Sequence, residues 1–303
     1  MSTKGKVFAA LGVWLGGAIV LGILTGNSGK NEEFKPQNEF KLEPWVDINI
    51  AGIDMSINKA VLYLVLASAL TIFAMTWIAK RMKEKPNRVQ LLVEMAYDLT
   101  RKNITGENMS ERMALRWFPF LATLFFWIWF SNMIGLVPLP VNTEETVNIF
   151  GASIPSFSIY AATANISIPL VLTLIVWISY NVEGIREHGF FRYFGTWLPG
   201  GLEDMNPRGK AAIFMIEVVS HLVRLISLSV RLFANVLAGH LLILFMAGGL
   251  AVLLGVAALG ILTFPLAFAF FVFEIALVAT LQAFIFAILT AIYLGGATTA
   301  EPH

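Results

Sequence analysis

The sequence predicts an all-α integral membrane protein, and three observations carry that expectation. The 303 residues are 57% hydrophobic and only 14% charged, whereas soluble domains average about 25% charged. Mean hydropathy is +0.73. The longest apolar tract runs from Ala211 to Leu294, 84 residues that contain just two acidic side chains, Glu217 and Glu274, and two Lys/Arg, Arg224 and Arg231. The net charge of +1 gives no sign of a nucleic-acid partner. The chain has no cysteine, which excludes disulfides, thiolate metal sites and cysteine nucleophiles. No internal repeat, low-complexity tract or soluble block with its own core is evident.

Val7–Thr25 is apolar and follows Lys4 and Lys6. It reads as a first membrane helix or a signal-like leader. No clear small-x-small cleavage site follows, which favours a retained helix. Residues 27–58 form a polar segment of mixed charge. Ala60–Ala79 is a clean span closed by KRMKEK. In the stretch 86–116, Val89, Leu92, Val93, Ala96 and Tyr97 recur at helical spacing. That pattern fits an amphipathic helix on the membrane surface, or a solvated loop helix. Trp117–Val137 is an aromatic-rich span, 138–164 a loop, Asn165–Tyr180 a further span and 181–210 a polar loop. The organisation is thus a membrane helix or leader at 1–26, an external polar segment at 27–58 and a membrane domain at 59–303.

Basic residues set the orientation. Residues 80–116 hold nine Lys/Arg, 138–164 none and 181–210 four. The positive-inside rule places the first and third loops in the cytoplasm, the second outside and the C-terminus in the cytoplasm. The last tract is too long for upright spans. Two helices of about 40 residues would each be about 60 Å long, against a hydrocarbon core of about 30 Å. They tilt steeply, or the tract folds into four shorter spans broken near Gly248-Gly249, Gly255 and Gly260.

Glu217, Arg224 and Arg231 are spaced by seven, a step that returns to within about 20° of the same helix face. With Ser220, His221, Ser227 and Asn235 they form a polar stripe on one side. His240, nine residues past Arg231, faces roughly the opposite way. Glu217 and Arg224 have a bland reading as a pair that snorkels near an interface. Arg231 lies about five turns into the tract with no acid at i±3 or i±4. A cation at that depth costs at least about 2.5–3.5 kcal/mol, so ionisable groups there mark ion paths or partner charges. Glu274 is either a neutral structural acid or part of such a path. Gln282, Asn132 and Asn165 fit helix packing as well as an ionic role.

SLSVRLFANVLAG followed by TLQAFIFAILTAIYL resembles the a subunit of F-type (Fo) ATP synthases. The order Glu217–Ser220–Arg224–Arg231–Asn235 and the FSNMIGLVP segment resemble that family too. The likeness covers residues from about 40 onward, and the arginine motif with the downstream LQAFIF element is highly specific. The resemblance implies five to six membrane helices, including two long, tilted C-terminal helices, plus the surface amphipathic helix. It implies a stator beside a rotating ring of c subunits, with a b-subunit peripheral stalk and the remaining F1Fo subunits as partners. It implies a multi-pass protein of the bacterial plasma membrane, in contact with lipid, that moves protons with no cofactor and no metal. Arg231 would face the ring carboxylates. Asn235, His240, Glu274 and Gln282 would line the half-channel open to the outside, and Glu217 and Ser220 the cytoplasmic one.

Three departures stand out. Family members often carry Glu where this chain has His240, and His near Glu274, although the reversed pair also occurs. The acidic or histidine position ordinarily lies seven before the glutamine. Glu274 and Gln282 are eight apart, about 80° on a regular helix, which a π-bulge would correct. Leu225 replaces a proline after the upstream basic residue. The competing reading is a secondary transporter in which Arg231 binds an anionic substrate, but repeats and discontinuous helices are not evident. An intramembrane enzyme lacks its motifs, since HExxH, GxSxG and paired aspartates are missing, and with no P-loop ATP chemistry falls to partner subunits.

Overall fold

Each long apolar run becomes a helix, because a backbone in lipid has no water to satisfy its N–H and C=O groups. The computed structural model describes residues 5, 9, 12–17, 19–20, 40–50, 53–142, 146–149, 152–198, 206–249, 252 and 257–299. The predicted first span is helical at 12–17 and 19–20. Residue 9 is helical too, and the rest of the span lies outside the described residues, as do 27–39, Glu144, Glu145, Gly255 and 300–303.

The helices are α1 (Lys59–Arg81), α2 (Arg88–Asp98), α3 (Glu111–Gly135), α4 (Ser167–His188), the short α5 (Phe190–Gly195), α6 (Pro207–Leu244), α7 (Ala257–Phe273) and α8 (Ala279–Thr299). π-helical turns extend α2 over Leu99–Gly106, close α6 over Phe245–Gly249 and join α7 to α8 over Glu274–Val278. Five helices are long and apolar enough to cross a bilayer among the described residues. The last tract forms two of them, Pro207–Gly249 and Leu259–Thr298, of 43 and 40 residues. Each is about 60 Å at 1.5 Å per residue, so in a bilayer they tilt. Within the loops, Asn49–Ile50 pairs with Ile53–Asp54, Leu139–Pro140 with Phe157–Ser158, and Thr146–Ile149 with Ala152–Pro155, all antiparallel.

The ends follow local chemistry. Asn58 caps α1 by accepting from Val61 N (3.2 Å), and Lys80 and Arg81 complement its negative C-terminal end. Asn87 accepts from Gln90 N at the start of α2 (2.8 Å). Gly189, with φ +82, ends α4 in a conformation that costs a residue without Cβ little. Pro207 opens α6, where its missing N–H is no loss. Inside the spans, hydroxyls bond back to the preceding turn, as in Thr71 to Ala67 O (2.7 Å) and Thr290 to Phe286 O (2.8 Å).

Within one 18-residue apolar stretch of each span, only 17–39% is buried within the chain, so most of that apolar surface faces lipid or a partner. The apolar side of α2 is likewise outward, with Val89, Leu92, Met95 and Tyr97 exposed.

Two compact units make up the chain. One comprises 1–63, 135–161 and 235–278; the other comprises 64–134, 162–234 and 279–303. In the first, Tyr63 donates to Val137 O (3.3 Å) and Ser158 O (3.4 Å), and its ring packs on Tyr160. In the second, α8 packs along α4 and against the π-helical end of α2. Ile104, Leu121, Ile128, Leu228, Leu232, Phe286 and Leu294 fill its core. Glu183, fully buried, takes Arg116 at 2.6 Å, tying α3 to α4. Asn132 accepts from Thr163 Oγ1 (2.9 Å) and Asn165 from Ser167 N (3.0 Å), so both amides serve packing and helix initiation.

A Cβ on Gly295 would fall on the backbone oxygen of Asn108. Gly295→Ala must push α8 off that strand of backbone, an overpacking cost of about 1–3 kcal/mol. The expected outcome is a lower unfolding midpoint in detergent; an unchanged midpoint would contradict the close approach.

Candidate functional site

The polar stripe of α6 divides into two environments. Seven-residue steps drift by about 20° each, and over two steps the stripe moves from a half-buried to an exposed face. Glu217, His221 and Arg224 turn into the second unit, while Ser227, Arg231 and Asn235 are exposed. Ser227 and Asn235 lie one turn to either side of Arg231, and beside them the exposed flank is apolar, with Val219, Val223, Ile226 and Val230. Its opposite side, Leu228, Leu232 and Val236, is fully buried. Arg231 makes no ion pair among the described residues.

Glu217 lies in a cavity of about 500 Å³, lined also by Tyr180, Tyr193, Trp197, His221, Arg224 and Tyr293. Arg224 Nη2 approaches Glu217 Oε1 at 3.3 Å, so the pairing foreseen for these two is present. Both remain partly accessible, and such a pair adds little to stability. Its effect here is to keep a carboxylate and a guanidinium at the wall of a polar space. Burial is the main cause that raises the Tyr193 phenol above its ordinary value; it stays protonated and donates to Asn181 Oδ1 (3.0 Å). Ser220 does not share this cavity. It bonds back to Ile216 O (3.0 Å) and lines a separate shallow groove with Val219 and Val223, which Arg224 also borders.

The first unit holds the other polar set. His240 is buried, with Nδ1 2.9 Å from Val236 O and Nε2 3.1 Å from Gly135 O. A neutral ring donates to one of these carbonyls, and an imidazolium to both. Glu274 is also buried. Its carboxyl group occupies the place a Cβ on Gly239 would take, so α6 needs a glycine beside His240. The π-helical turn begins at Glu274 itself. One such turn absorbs about one residue, which returns an eight-residue step to the phase of seven. Gln282, eight residues on, is buried in the second unit.

Composition alone did not single out Tyr180, Tyr193, Trp197 and Tyr293. The aromatic run FFRYFGTW in an otherwise polar loop was the available signal.

Gly239→Ala should cost about 1–3 kcal/mol of stability by overpacking. Shortening the acid with Glu274→Asp should recover part of it, a coupling of about 0.5–3 kcal/mol in a double-mutant cycle. Strict additivity would contradict the contact.

A family model described as ATP synthase A chain matches residues 61–295. ATP synthase subunit a of Rubrobacter xylanophilus is 34% identical over 260 residues, covering 86% of this chain and 91% of that one. The Hyphomonas neptunium subunit a is 33% identical over 275 residues, 88% of this chain and 97% of that one. The Campylobacter concisus protein of the same name is 35% identical over 236 residues, 78% and 88%. The family model spans most of the chain, and these relatives exceed 30% identity over more than two thirds of both chains, so the chain belongs to the ATP synthase A chain family.

Proposed function

We propose that this chain is the proton-translocating stator subunit of the Fo motor of a bacterial rotary ATP synthase, held in the plasma membrane beside a ring of c subunits and a b-subunit stalk. The observation that carries the proposal is Arg231, a permanent cation exposed on a helix beside an apolar flank, with no ion pair among the described residues. Its counter-charge comes from another chain, and the carboxylates of a passing ring supply it.

Arginine suits the place because its pKa exceeds 12, so it neither loses its charge nor carries a proton across. Opposite charges 4 Å apart attract by about 4 kcal/mol at an effective dielectric constant of 20. That lowers a ring carboxylate's pKa by roughly three. A ring acid protonated in lipid releases its proton on meeting Arg231, and the same cation blocks a direct leak.

Two polar routes would serve the ring. Glu217 and its cavity, with Ser220 on the neighbouring groove, supply the cytoplasmic access. Asn235, His240, Glu274 and Gln282 supply the access from outside. The orientation rests on the nine and four basic residues of 80–116 and 181–210. The ATP chemistry resides in partner subunits. Single cysteines at Asn103 and Glu187 should react with an impermeant maleimide from the cytoplasmic side, and one at Phe157 from the other; labelling of Phe157 from the cytoplasm would overturn the orientation.

Arg231→Ala and Arg231→Lys should both assemble and give no ion-driven ATP synthesis. Lysine keeps the nominal charge but loses the two-pronged fork that holds a carboxylate. The alanine variant should also leak protons when the ring carries no ATPase head, as read by acid-bath synthesis and a pH dye in vesicles. Substantial synthesis by Arg231→Ala would end the stator reading. Exchanging His240 and Glu274 should retain more activity than either alanine variant; an exchange no better than the worse single variant would break their coupling.

A further inference from the structure

The cavity beside Glu217 contains a histidine that the stator reading leaves without a task. His221 is only 8% exposed. Its Nδ1 lies 2.9 Å from Tyr180 Oη on α4, and its Nε2 lies 3.9 Å from Glu217 Oε1, one turn earlier on α6. The imidazole is stacked on the Trp197 indole, centroids 4.1 Å apart and planes 18° apart. Trp197 is itself fixed by Phe194, Tyr193 and Phe214. One ring nitrogen is thus committed to a phenol and the other is aimed at the carboxylate, with the ring plane held by an aromatic wall.

The other buried positions of α6 in the second unit carry no such arrangement: Leu228 and Leu232 are apolar, and Ser229 only bonds back to Ile226 O. Among the described residues, the buried Trp197 Nε1–H has no acceptor in full hydrogen-bonding geometry, Tyr193 being its nearest polar neighbour on that side. A buried donor of this kind is ordinarily met by water, and a polar-walled space of about 500 Å³ admits water. The charged and titratable groups lining that space with His221 are Glu217 and Arg224 from its own helix, Tyr180 from α4, Tyr193 from α5 and Tyr293 from α8.

We propose that His221, positioned by Tyr180 and Trp197, is a second proton-carrying group of this cavity, passing protons between cavity water and Glu217. This rests on the reading of the cavity as the cytoplasmic access. The step conserves atoms and charge. A proton arriving on Tyr180 Oη sends the phenol's own proton to His221 Nδ1, and Nε2 gives its proton to the Glu217 carboxylate. The phenol ends neutral, the imidazole ends neutral as its other tautomer, and the carboxylate becomes a carboxylic acid. Exchange with cavity water returns the first tautomer, and flow in the opposite direction uses the same atoms in reverse.

The test is ATP-driven proton pumping by the whole synthase in inverted vesicles, with the amount of assembled complex measured alongside. His221→Ala should slow pumping about tenfold, below the usual range for a positioned proton-transfer group because water remains in parallel. His221→Gln, which can still bond Tyr180, should slow it similarly, and it keeps the test available if the alanine variant assembles poorly. Added imidazole should restore much of the rate of His221→Ala. Pyrazole, a ring of the same size whose two nitrogens are adjacent, so that they cannot face Tyr180 and Glu217 at once, and whose bare nitrogen is too weak a base to take up a proton near neutral pH, should not. Equal rescue by both rings, or pumping by His221→Gln at the normal rate, would overturn the proposal. Glu217→Ala separates the two readings. If it is slow while His221→Gln is normal, only the relay fails; if Glu217→Ala pumps normally, the cavity is not the access and the relay falls with it.

Discussion

A guanidinium that cannot be neutralised, placed at bilayer depth with no ion pair among the described residues of its own chain, constrains everything around it. Such a charge is tolerable where an anion from outside the chain compensates it. The flank of α6 that carries Arg231 is therefore exposed, and the residues beside it, Val223, Ile226 and Val230, are apolar and of a size suited to sliding contact. The reverse flank, Leu228, Leu232 and Val236, is buried, so the arginine is presented by a helix anchored on its other side. The proposed contact with a rotating ring would use this combination of a fixed cation and a smooth surface.

In the proposed mechanism protons reach that cation from two sides without a continuous path past it. The two polar sets are built on different principles. Glu217, Arg224 and His221 line an aromatic-walled space large enough for water. His240 and Glu274 are buried tightly, one against two carbonyl oxygens and the other against the bare face of Gly239. Under the proposed function the first would serve as a vestibule and the second as a pair of specific proton-binding groups. Each set sits in its own compact unit, and α6 runs through both with Arg231 four residues before the point where it passes from one to the other.

Much of this was legible because membrane burial makes charge rare and therefore informative. Arg231 stood out by cost alone, and the seven-residue spacing put Glu217 and Arg224 on one face, where they pair. The eight-residue step from Glu274 to Gln282 left two outcomes open, a π-bulge or a displaced Glu274, and a π-helical turn begins at Glu274. The choice between two long helices and four short ones was not legible from glycine positions, because a glycine in an apolar helix breaks it only where no neighbour holds it. The aromatic cavity was not legible either. Tyr180, Trp197, His221 and Tyr293 come from separate segments, and only the packing of α4, α6 and α8 brings them together. The single stripe drawn on α6 divided for a simple reason: a drift of about 20° per seven residues separates Glu217's surroundings from those of Arg231.

The central claim is that the exposed flank of α6 around Arg231 faces a ring of c subunits. A disulfide scan tests it directly, with single cysteines along α6 set against one on the outer helix of the ring. The account predicts cross-links at Val219, Val223, Ile226 and Val230 and none at Leu228, Leu232 and Val236. Cross-linking through the leucine side, or none on either side in an assembled complex, would contradict it.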